Sequence, residues 1–243
     1  RSGDLAEAED EGRKLVAQAT GDADAQALLG RILLREGKSQ DARATLQAAL
    51  SIDPLHVGAE LDLGVVRLEA GEAEAAKGSF DRVIARAPKN AAAYNDRATA
   101  WLALGKADEA KRDLERALEI DPGYADAHFN YGLCAERFGN YVKALEEYET
   151  ALKIDPHHAR ALNNLGLVYA RGKKPEEALK LFERALAAEP ALVEAQLNRG
   201  LALVELGRKG EAAGAFDRYV QAMPEGNAKR KALSETIARL TAR

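Results

Sequence analysis

Three asparagines stand 34 residues apart in the second half of the chain, at Asn130, Asn164 and Asn198. A carboxamide donates and accepts hydrogen bonds at the same time. An extended peptide backbone presents N–H donors and C=O acceptors in turn, so a row of amides matches its requirements. Three such amides would therefore match a bound peptide chain if the fold places them on one face. Asn95 and Asn163 each precede a residue of the same register and could add to the row.

Other reactive residue types do not form a catalytic or metal-binding pattern. His157 and His158 are adjacent, so their side chains should point apart in a solvated turn without the carboxylate or thiolate partners of a metal site. Cys134 is predicted to be a small core residue, because nothing near it would activate a thiolate. Glu146 and Glu147 are expected on a solvated surface. Since phosphate loops, nucleophile elbows and dinucleotide fingerprints are absent from the sequence, we expect no enzyme activity and no cofactor.

Composition restricts the class of protein further. The chain has 243 residues, 47% of them hydrophobic but only 5% aromatic, so a core must consist mainly of Ala, Leu and Val. A net charge of −4 argues against nucleic acid as a partner, because duplex binding uses a concentrated basic face. No apolar run has the length of a membrane span, so membrane insertion is not expected. The sequence leaves the compartment open between the cytoplasm and a bacterial periplasm, and its high Ala and Arg usage fits a bacterial source.

Prolines and glycines mark a strict internal period. Six of the seven prolines are separated by steps of 34 residues. Glycines share this spacing, each of them 17 residues before a proline position. The prolines are Pro54, Pro88, Pro122, Pro156, Pro190 and Pro224, and the glycines are Gly3, Gly37, Gly71, Gly105, Gly139 and Gly207.

Apolar residues between these marks recur at steps of three and four, for example Leu162, Leu165 and Val168. This spacing is typical of an amphipathic helix and not of a strand. The glycine lies where a first helix should stop, and the proline follows a second helix, where it disfavours helical backbone. Each unit is therefore predicted to be helix A, a tight turn, helix B and a break. Neither helix buries its apolar stripe alone, so stacked neighbours must supply the core.

The unit resembles the tetratricopeptide repeat, whose signature has small residues at positions 8 and 20 and a large residue at position 24. Units counted from residues 23, 57, 91, 125, 159 and 193 match it. Position 8 reads Gly30, Gly64, Ala98, Gly132, Gly166 and Gly200. Position 20 reads Ala42, Ala76, Ala110, Ala144, Ala178 and Ala212, and position 24 reads Leu46, Phe80, Leu114, Tyr148, Phe182 and Phe216.

The resemblance implies an all-α fold, a right-handed α-solenoid superhelix of antiparallel helix pairs. Residues 1–22 are expected to form the leading helix B of an incomplete repeat, and residues 227–243 a C-terminal capping helix whose Leu233, Ile237 and Leu240 face inward. The six full repeats are predicted at 23–56, 57–90, 91–124, 125–158, 159–192 and 193–226.

Some units depart from the family pattern. Arg97 and Arg199 replace the usual Leu at position 7, and Val83 and Tyr219 replace Ala at position 27. The fifth turn shifts to the sequence RGKKPEEA. These units are expected to pack less regularly than the others.

In this family helix A lines the concave face, with positions 2, 5, 6, 9, 12 and 13 pointing inward as one helical stripe. The resemblance therefore implies a groove in which amides and apolar side chains bind a peptide. The predicted peptide-binding residues are Asn95, Asn130, Asn163, Asn164 and Asn198, Asp62 and Asp96, Phe129, Leu133, Leu167, Leu197 and Leu201, and Arg137 and Arg171.

Charge divides this predicted groove into two parts. Asp62 and Asp96 would suit a basic ligand segment in the first half, whereas Arg137 and Arg171 would steer an acidic flank into the second. Two other interpretations stay open. The asparagines could only tie helix A to its neighbour, and the far wall of a tight superhelix could cover the apolar side chains.

The leading hypothesis is a scaffold that binds a peptide segment or partner helix of another protein in its groove, without catalysis. The alternative is a structural protein that forms homo-oligomers through its open first helix or its convex face. A pilotin-like assembly factor of the bacterial envelope is a further variant, which an upstream lipobox or signal peptide would distinguish. The sequence names no specific partner, because partner choice depends on a few inward side chains.

Overall fold

The structure is a computed structural model that describes residues 2–223 and 227–241. Every regular element in these residues is an α-helix, as the sequence predicts. Pro224 lies outside the described residues, as does the side chain of Leu240. The described helices are α1 Ser2–Gln18, α2 Ala23–Arg35, α3 Ser39–Ile52, α4 Val57–Glu69, α5 Ala73–Arg86, α6 Ala91–Ala103, α7 Ala107–Ile120, α8 Ala125–Arg137, α9 Tyr141–Ile154, α10 Ala159–Arg171, α11 Pro175–Ala188, α12 Val193–Glu205, α13 Lys209–Ala222 and α14 Ala228–Thr241.

The helices pack as consecutive pairs. Helices α2, α4, α6, α8, α10 and α12 are the A helices, and each packs against the B helix that follows it. Within each of the two compact units described below, the B helix then packs against the next A helix, as α5 does against α6 and α11 against α12. The helix α1 packs against α2, and α14 against α13. This is the paired arrangement of an α-solenoid.

The chain divides into two compact units, Arg1–Pro122 and Gly123–Arg243. In the first unit, a core cluster forms around Leu33, Leu46 and Leu63. In the second unit, Tyr148 and Leu162 belong to one cluster, and Phe182, Leu203 and Phe216 belong to another. The right-handed superhelical twist that the family resemblance implies stays a prediction.

A close approach between helix A and helix B fixes the geometry of each pair. In five of the six repeats, a Cβ atom added to the glycine at position 8 would lie closer than 3 Å to the side chain at position 24. For Gly166 the atom met is Cε1 of the Phe182 ring, at 2.5 Å. Phe182 is 1% exposed, so its ring is buried against the glycine backbone. The glycine is therefore required for this packing and not for its backbone conformation.

The turn from helix A to helix B requires a left-handed residue. Gly37, Gly71, Gly105, Gly139 and Gly207 take this position with φ between 70° and 77°. The fifth repeat places Lys173 there instead, with φ of 55°. A side chain is unfavourable in this conformation, so this turn is the one strained turn of its kind among the described residues.

Two histidines act as N-caps. The Nδ1 atoms of His56 and His158 accept backbone N–H groups at 3.0 and 3.1 Å at the start of α4 and α10. The proton of the neutral ring therefore lies on Nε2, which donates to Oδ1 of Asp24 at 2.9 Å and of Asp126 at 3.1 Å. The bond from His158 holds the pKa of Asp126 below its usual range. The expectation that His158 is solvated is wrong, since it is 9% exposed.

Arg97 is accommodated by two carboxylates. Its Nε and Nη2 donate to Asp113 at 2.7 and 2.6 Å, and its Nη1 donates to Asp81 at 2.8 Å. Burial alone would raise the pKa of Asp81, but hydrogen bonds from Lys77 and Arg97 outweigh it and hold that pKa below its usual range. The arginine thus connects α6 with α5 and α7 where the family has an apolar contact. Arg199 makes a looser version of the same link, 3.4 Å from Glu183.

The close approach at position 8 gives a stability prediction. The change Gly166→Ala should lower the free energy of unfolding by about 1–3 kcal/mol, because the new methyl group overlaps the buried Phe182 ring. Gly214→Ala is the matched control, since its Cβ would meet no atom within 4 Å. As Gly214 lies within α13, this change should raise stability by about 0.5–1 kcal/mol. Urea unfolding followed by circular dichroism measures both. Equal or higher stability of Gly166→Ala would contradict the packing account.

Candidate functional site

A cavity opens between α10 and α12 in the second unit. Its volume is about 240 Å³, and Phe182 of α11 forms part of its lining. This is smaller than the pockets of about 300–1,000 Å³ that enclose whole small-molecule ligands. Its size suits one large side chain of a partner. We call it the groove site, and it is lined by Leu167, Ala170, Arg171, Phe182, Asn198, Leu201, Ala202 and Glu205.

An exposed leucine side chain lines this site, and an exposed valine follows it on α12. Leu201 is 52% exposed and Val204, on the next turn of α12, is 37% exposed. Leu167 and Leu197 are partly buried and pack against the core cluster that contains Phe182. The groove site therefore presents an apolar surface that the core supports from below.

Two charged side chains, of opposite sign, line the groove site. Arg171, at the end of α10, donates to Oε2 of Glu136 at 3.2 Å, and its guanidinium lies 5.4 Å from the centre of the Tyr141 ring. Glu205, at the end of α12, is exposed and has no ion-pair partner among the described residues. An apolar floor thus lies between a partly compensated cation and an uncompensated anion.

Asparagine side chains at the site are hydrogen-bonded to one another. Asn198 Nδ2 donates to Asn163 Oδ1 at 2.9 Å. Asn163 Nδ2 then donates to Asn164 Oδ1 at 3.1 Å. Asn164 Nδ2 reaches the hydroxyl oxygen of Tyr148 at 3.5 Å, and Tyr148 donates to Oε1 of Glu136 at 3.2 Å. The amides therefore form one network instead of three independent groups.

Both ends of this network reach the groove site. Asn198 lies at one end, and Arg171, which also binds Glu136, lies at the other. The centre is buried, since Tyr148 is not exposed at all and Asn163 is 6% exposed. Burial raises the pKa of the Tyr148 hydroxyl, which keeps it protonated and able to donate. The network holds the two polar groups of the site in fixed positions.

The structure narrows the predicted set of residues. Asn130 is 9% exposed and Asn95 is 3% exposed, so neither offers much surface to a ligand. Phe129 was expected in the groove, but it is 4% exposed and belongs to the core, where its ring contacts those of Tyr148 and His158. Leu133 is partly buried against the same cluster. These side chains support the A helices from within.

Arg137, in contrast, is exposed at the end of α8 and has no ion-pair partner among the described residues. It does not line the groove site.

The aspartates of the first half are already engaged. Asp62 is 8% exposed, and its Oδ2 accepts from Nε of Arg31 at 2.8 Å. Burial raises the pKa of Asp62 above its usual range although the arginine opposes this shift. Asp96 accepts from Asn95 Nδ2 at 3.0 Å. A basic ligand would have to displace these partners, so the first half is the weaker candidate.

Sequence reasoning also missed several groups. Glu205 occupies position 13 of its repeat, as Arg171 does in the preceding one, so the register could have found it. Nothing in the sequence singles out Tyr148 or Glu136, because they have the residue types expected of a packing position and a surface position. Glu147 was expected to be solvated, but it is 7% exposed and accepts from His128 at 2.6 Å.

Searches for other kinds of site give limited results. Within the described residues, no cluster of histidine, cysteine or carboxylate side chains could hold a metal ion. No helix in the same part of the chain combines the length and apolar character needed to cross a membrane.

Comparisons with known proteins decide the family. A model of the tetratricopeptide repeat matches residues 123–189, and a second model with the same description matches residues 174–227. A third, for the middle TPR-like domain of cilia and flagella-associated protein 70, matches residues 1–117. The chain is a tetratricopeptide repeat protein. The family resemblance inferred from the glycine, alanine and proline register is confirmed.

Solved tetratricopeptide repeat structures share the fold. A chain of the APC/C hetero-tetramer Cut9–Hcn1 is 16% identical with a TM-score of 0.85, and the match covers 96% of this chain. The chain spans only 46% of that protein's length. A tetratricopeptide repeat protein from Parabacteroides merdae is 20% identical over 100% of this chain and 94% of its own, with a TM-score of 0.72.

YrrB, described as a tetratricopeptide repeat protein with an unusual peptide-binding site, is 24% identical over 76% of this chain and 95% of its own, with a TM-score of 0.50. A search of curated protein sequences finds no match. Tetratricopeptide repeat proteins are in general non-catalytic scaffolds that bind other proteins. The fold of this chain implies a protein–protein interaction scaffold.

The side-chain network gives a second stability prediction. Tyr148→Phe should lower the free energy of unfolding by about 1 kcal/mol, because the hydroxyl that joins Asn164 to Glu136 is lost. Tyr219→Phe is the matched control, since its hydroxyl has no hydrogen bond among the described residues and should change stability little. Denaturant unfolding of both variants measures the difference. Equal effects of the two changes would show that the network contributes nothing to stability.

Proposed function

We propose that this chain is a peptide-binding scaffold whose second unit accepts an apolar side chain of a partner protein in the groove site. The observation that carries the proposal is the cavity between α10 and α12, beside which Leu201 is 52% exposed. An exposed leucine above an apolar cavity is unfavourable in water and is stabilised when a partner covers it.

The polar groups around the cavity support a peptide as the ligand. Asn198 has donated one amide hydrogen to Asn163, which leaves its carbonyl and second hydrogen for a backbone amide. Glu205 and Arg171 lie at the ends of α12 and α10, so a basic residue near Glu205 and an acidic one near Arg171 would both be accommodated. In this proposal Asn198 is the amide that contacts ligand, while Asn163 and Asn164 hold it in place.

The free-energy contributions of the individual contacts limit the affinity expected for a peptide. One buried aliphatic anchor contributes about 2 kcal/mol, and each net hydrogen bond contributes about 1 kcal/mol. Ordering the peptide and losing its free motion oppose this by several kcal/mol. A single short peptide should therefore bind at micromolar strength or more weakly. Tighter binding requires a folded partner that contacts more of the A helices.

The proposal includes no catalysis. The buried carboxylate and imidazole side chains of the described residues are engaged in ion pairs or helix caps. His128, for example, contacts Glu147, and His158 caps α10. A search for hydrolase or transferase activity should accordingly give none.

Self-assembly is the alternative function. It is supported by Leu15, which is 40% exposed on the first helix although that helix packs against α2. A joint between copies would cover this side chain. Sedimentation velocity over a range of protein concentrations separates the two functions, since a concentration-independent monomer excludes the joint and a growing species supports it.

The groove site is tested by one substitution and its match. Leu201→Asp should abolish enrichment of peptides from a random library, because a carboxylate replaces the apolar anchor surface. Leu55→Asp is the control: Leu55 is 66% exposed in the turn before α4, so the same chemical change occurs away from the site. The parent and Leu55→Asp should enrich a shared motif with an apolar residue. Enrichment that survives in Leu201→Asp would refute the groove site.

A further inference from the structure

The turn between α8 and α9 exposes three large apolar side chains within five residues. Phe138 is 49% exposed, Tyr141 is 50% exposed and Val142 is 72% exposed. None of them lines the groove site. Adjacent exposed apolar side chains of this size are unfavourable in water and are typical of a surface that a partner covers.

The other repeats do not share this feature. The residues equivalent to Tyr141 and Val142 are small, polar, charged, proline or glycine in every other full repeat. The fourth repeat alone has a ring and a branched aliphatic side chain there, so the exposure is not a requirement of the fold. The equivalents are Ser39 and Gln40, Ala73 and Glu74, Ala107 and Asp108, Pro175 and Glu176, and Lys209 and Gly210.

Three basic residues lie at this turn and at the next turn, which Arg171 joins to it. Arg137 precedes Phe138 and has no ion-pair partner among the described residues. Arg171 lies at the start of the next turn, between α10 and α11. Its guanidinium lies 5.4 Å from the Tyr141 ring centre. Lys173 follows two residues later in that turn, is exposed, and also has no ion-pair partner in the part of the chain that the structure describes. Glu136 partly compensates Arg171, so Arg137 and Lys173 supply the uncompensated positive charge here, although the chain as a whole carries −4.

The backbone of Lys173 is in an unfavourable conformation. It holds the left-handed conformation that glycine holds at the same point of five other described turns. Glycine would relieve the strain, and Gly172 immediately precedes it. Strain of this kind persists where the side chain has a role that offsets it. Binding of an anionic partner by the exposed ammonium group is such a role.

We infer that Arg137, Phe138, Tyr141, Val142, Arg171 and Lys173, here called the turn surface, bind an acidic segment of a partner protein that also carries aromatic or aliphatic side chains. Two uncompensated cations require carboxylates, and the exposed rings and Val142 require apolar groups between them. Of these residues only Arg171 also lines the groove site. The inference therefore stands independently of the proposed function.

A labelled peptide that alternates glutamate with phenylalanine is the probe. The full chain should bind it, with an affinity that falls as salt rises, because the cations are exposed to solvent. A peptide that alternates lysine with phenylalanine, and one that alternates glutamate with serine, should bind much more weakly. Fluorescence anisotropy measures all three.

Three variants and a control locate the binding. Lys173→Glu and Val142→Glu should each weaken binding of the glutamate–phenylalanine peptide about tenfold, because repulsion replaces attraction or apolar contact. Lys153→Glu makes the same charge change at an exposed lysine near the end of α9 and should leave the affinity unchanged. Leu201→Asp should also leave it unchanged, which separates this surface from the groove site.

Lys173→Gly distinguishes a binding role from a purely structural one. The melting temperature should rise by about 2 °C because the left-handed strain is relieved, while binding of the acidic peptide should weaken. A residue with a structural role alone would not lose affinity as it gains stability.

Several results would overturn the inference. These are no measurable binding of the glutamate–phenylalanine peptide by the parent chain, equal binding of the lysine–phenylalanine peptide, or unchanged affinity in both Lys173→Glu and Val142→Glu. Binding of vesicles containing phosphatidylserine without binding of the acidic peptide would assign the surface to a lipid headgroup layer and would equally refute it.

Discussion

Five of the six described pairs of helix A and helix B depend on a contact that has no room for one more carbon atom. In the fifth repeat the backbone of Gly166 lies against the ring of Phe182, and four other repeats have the same glycine contact. A contact this close sets the distance and the rotation between helix A and helix B. Packing on the B helices therefore positions the A helices. The face of each A helix that does not pack on a B helix can carry other polar and apolar groups. The two binding surfaces proposed for this chain lie on that face and at the turn between α8 and α9.

Fixed A helices allow side chains from different repeats to act together. Asn163 and Asn198 are 35 residues apart in sequence, but their amides are 2.9 Å apart because α10 and α12 stack side by side. Tyr148 donates a hydrogen bond to Glu136, and Glu136 also accepts one from Arg171. A binding site whose polar groups are held before the ligand arrives loses less entropy on binding.

The fold was largely predictable from the sequence, whereas the site was predictable only in part. The glycine, alanine and proline register determines which helices exist and which residues meet, because each repeats with one period. The partners of individual polar groups follow no such period. Asp62 is bound by Arg31 and Asn164 by Tyr148, and both pairings depend on side-chain length and rotamer across two helices. Phe129 likewise looks available in sequence but is held inside by the rings of Tyr148 and His158.

A peptide selected on the parent chain, titrated into protein with labelled leucine methyl groups, tests the central claim most directly by nuclear magnetic resonance. The account predicts chemical-shift changes at Leu167 and Leu201, which line the groove site. Leu28 and Leu55, exposed in the first unit, should not change. Changes confined to Leu28 and Leu55, with Leu167 and Leu201 unaffected, would contradict the account and move the peptide-binding role to the first unit.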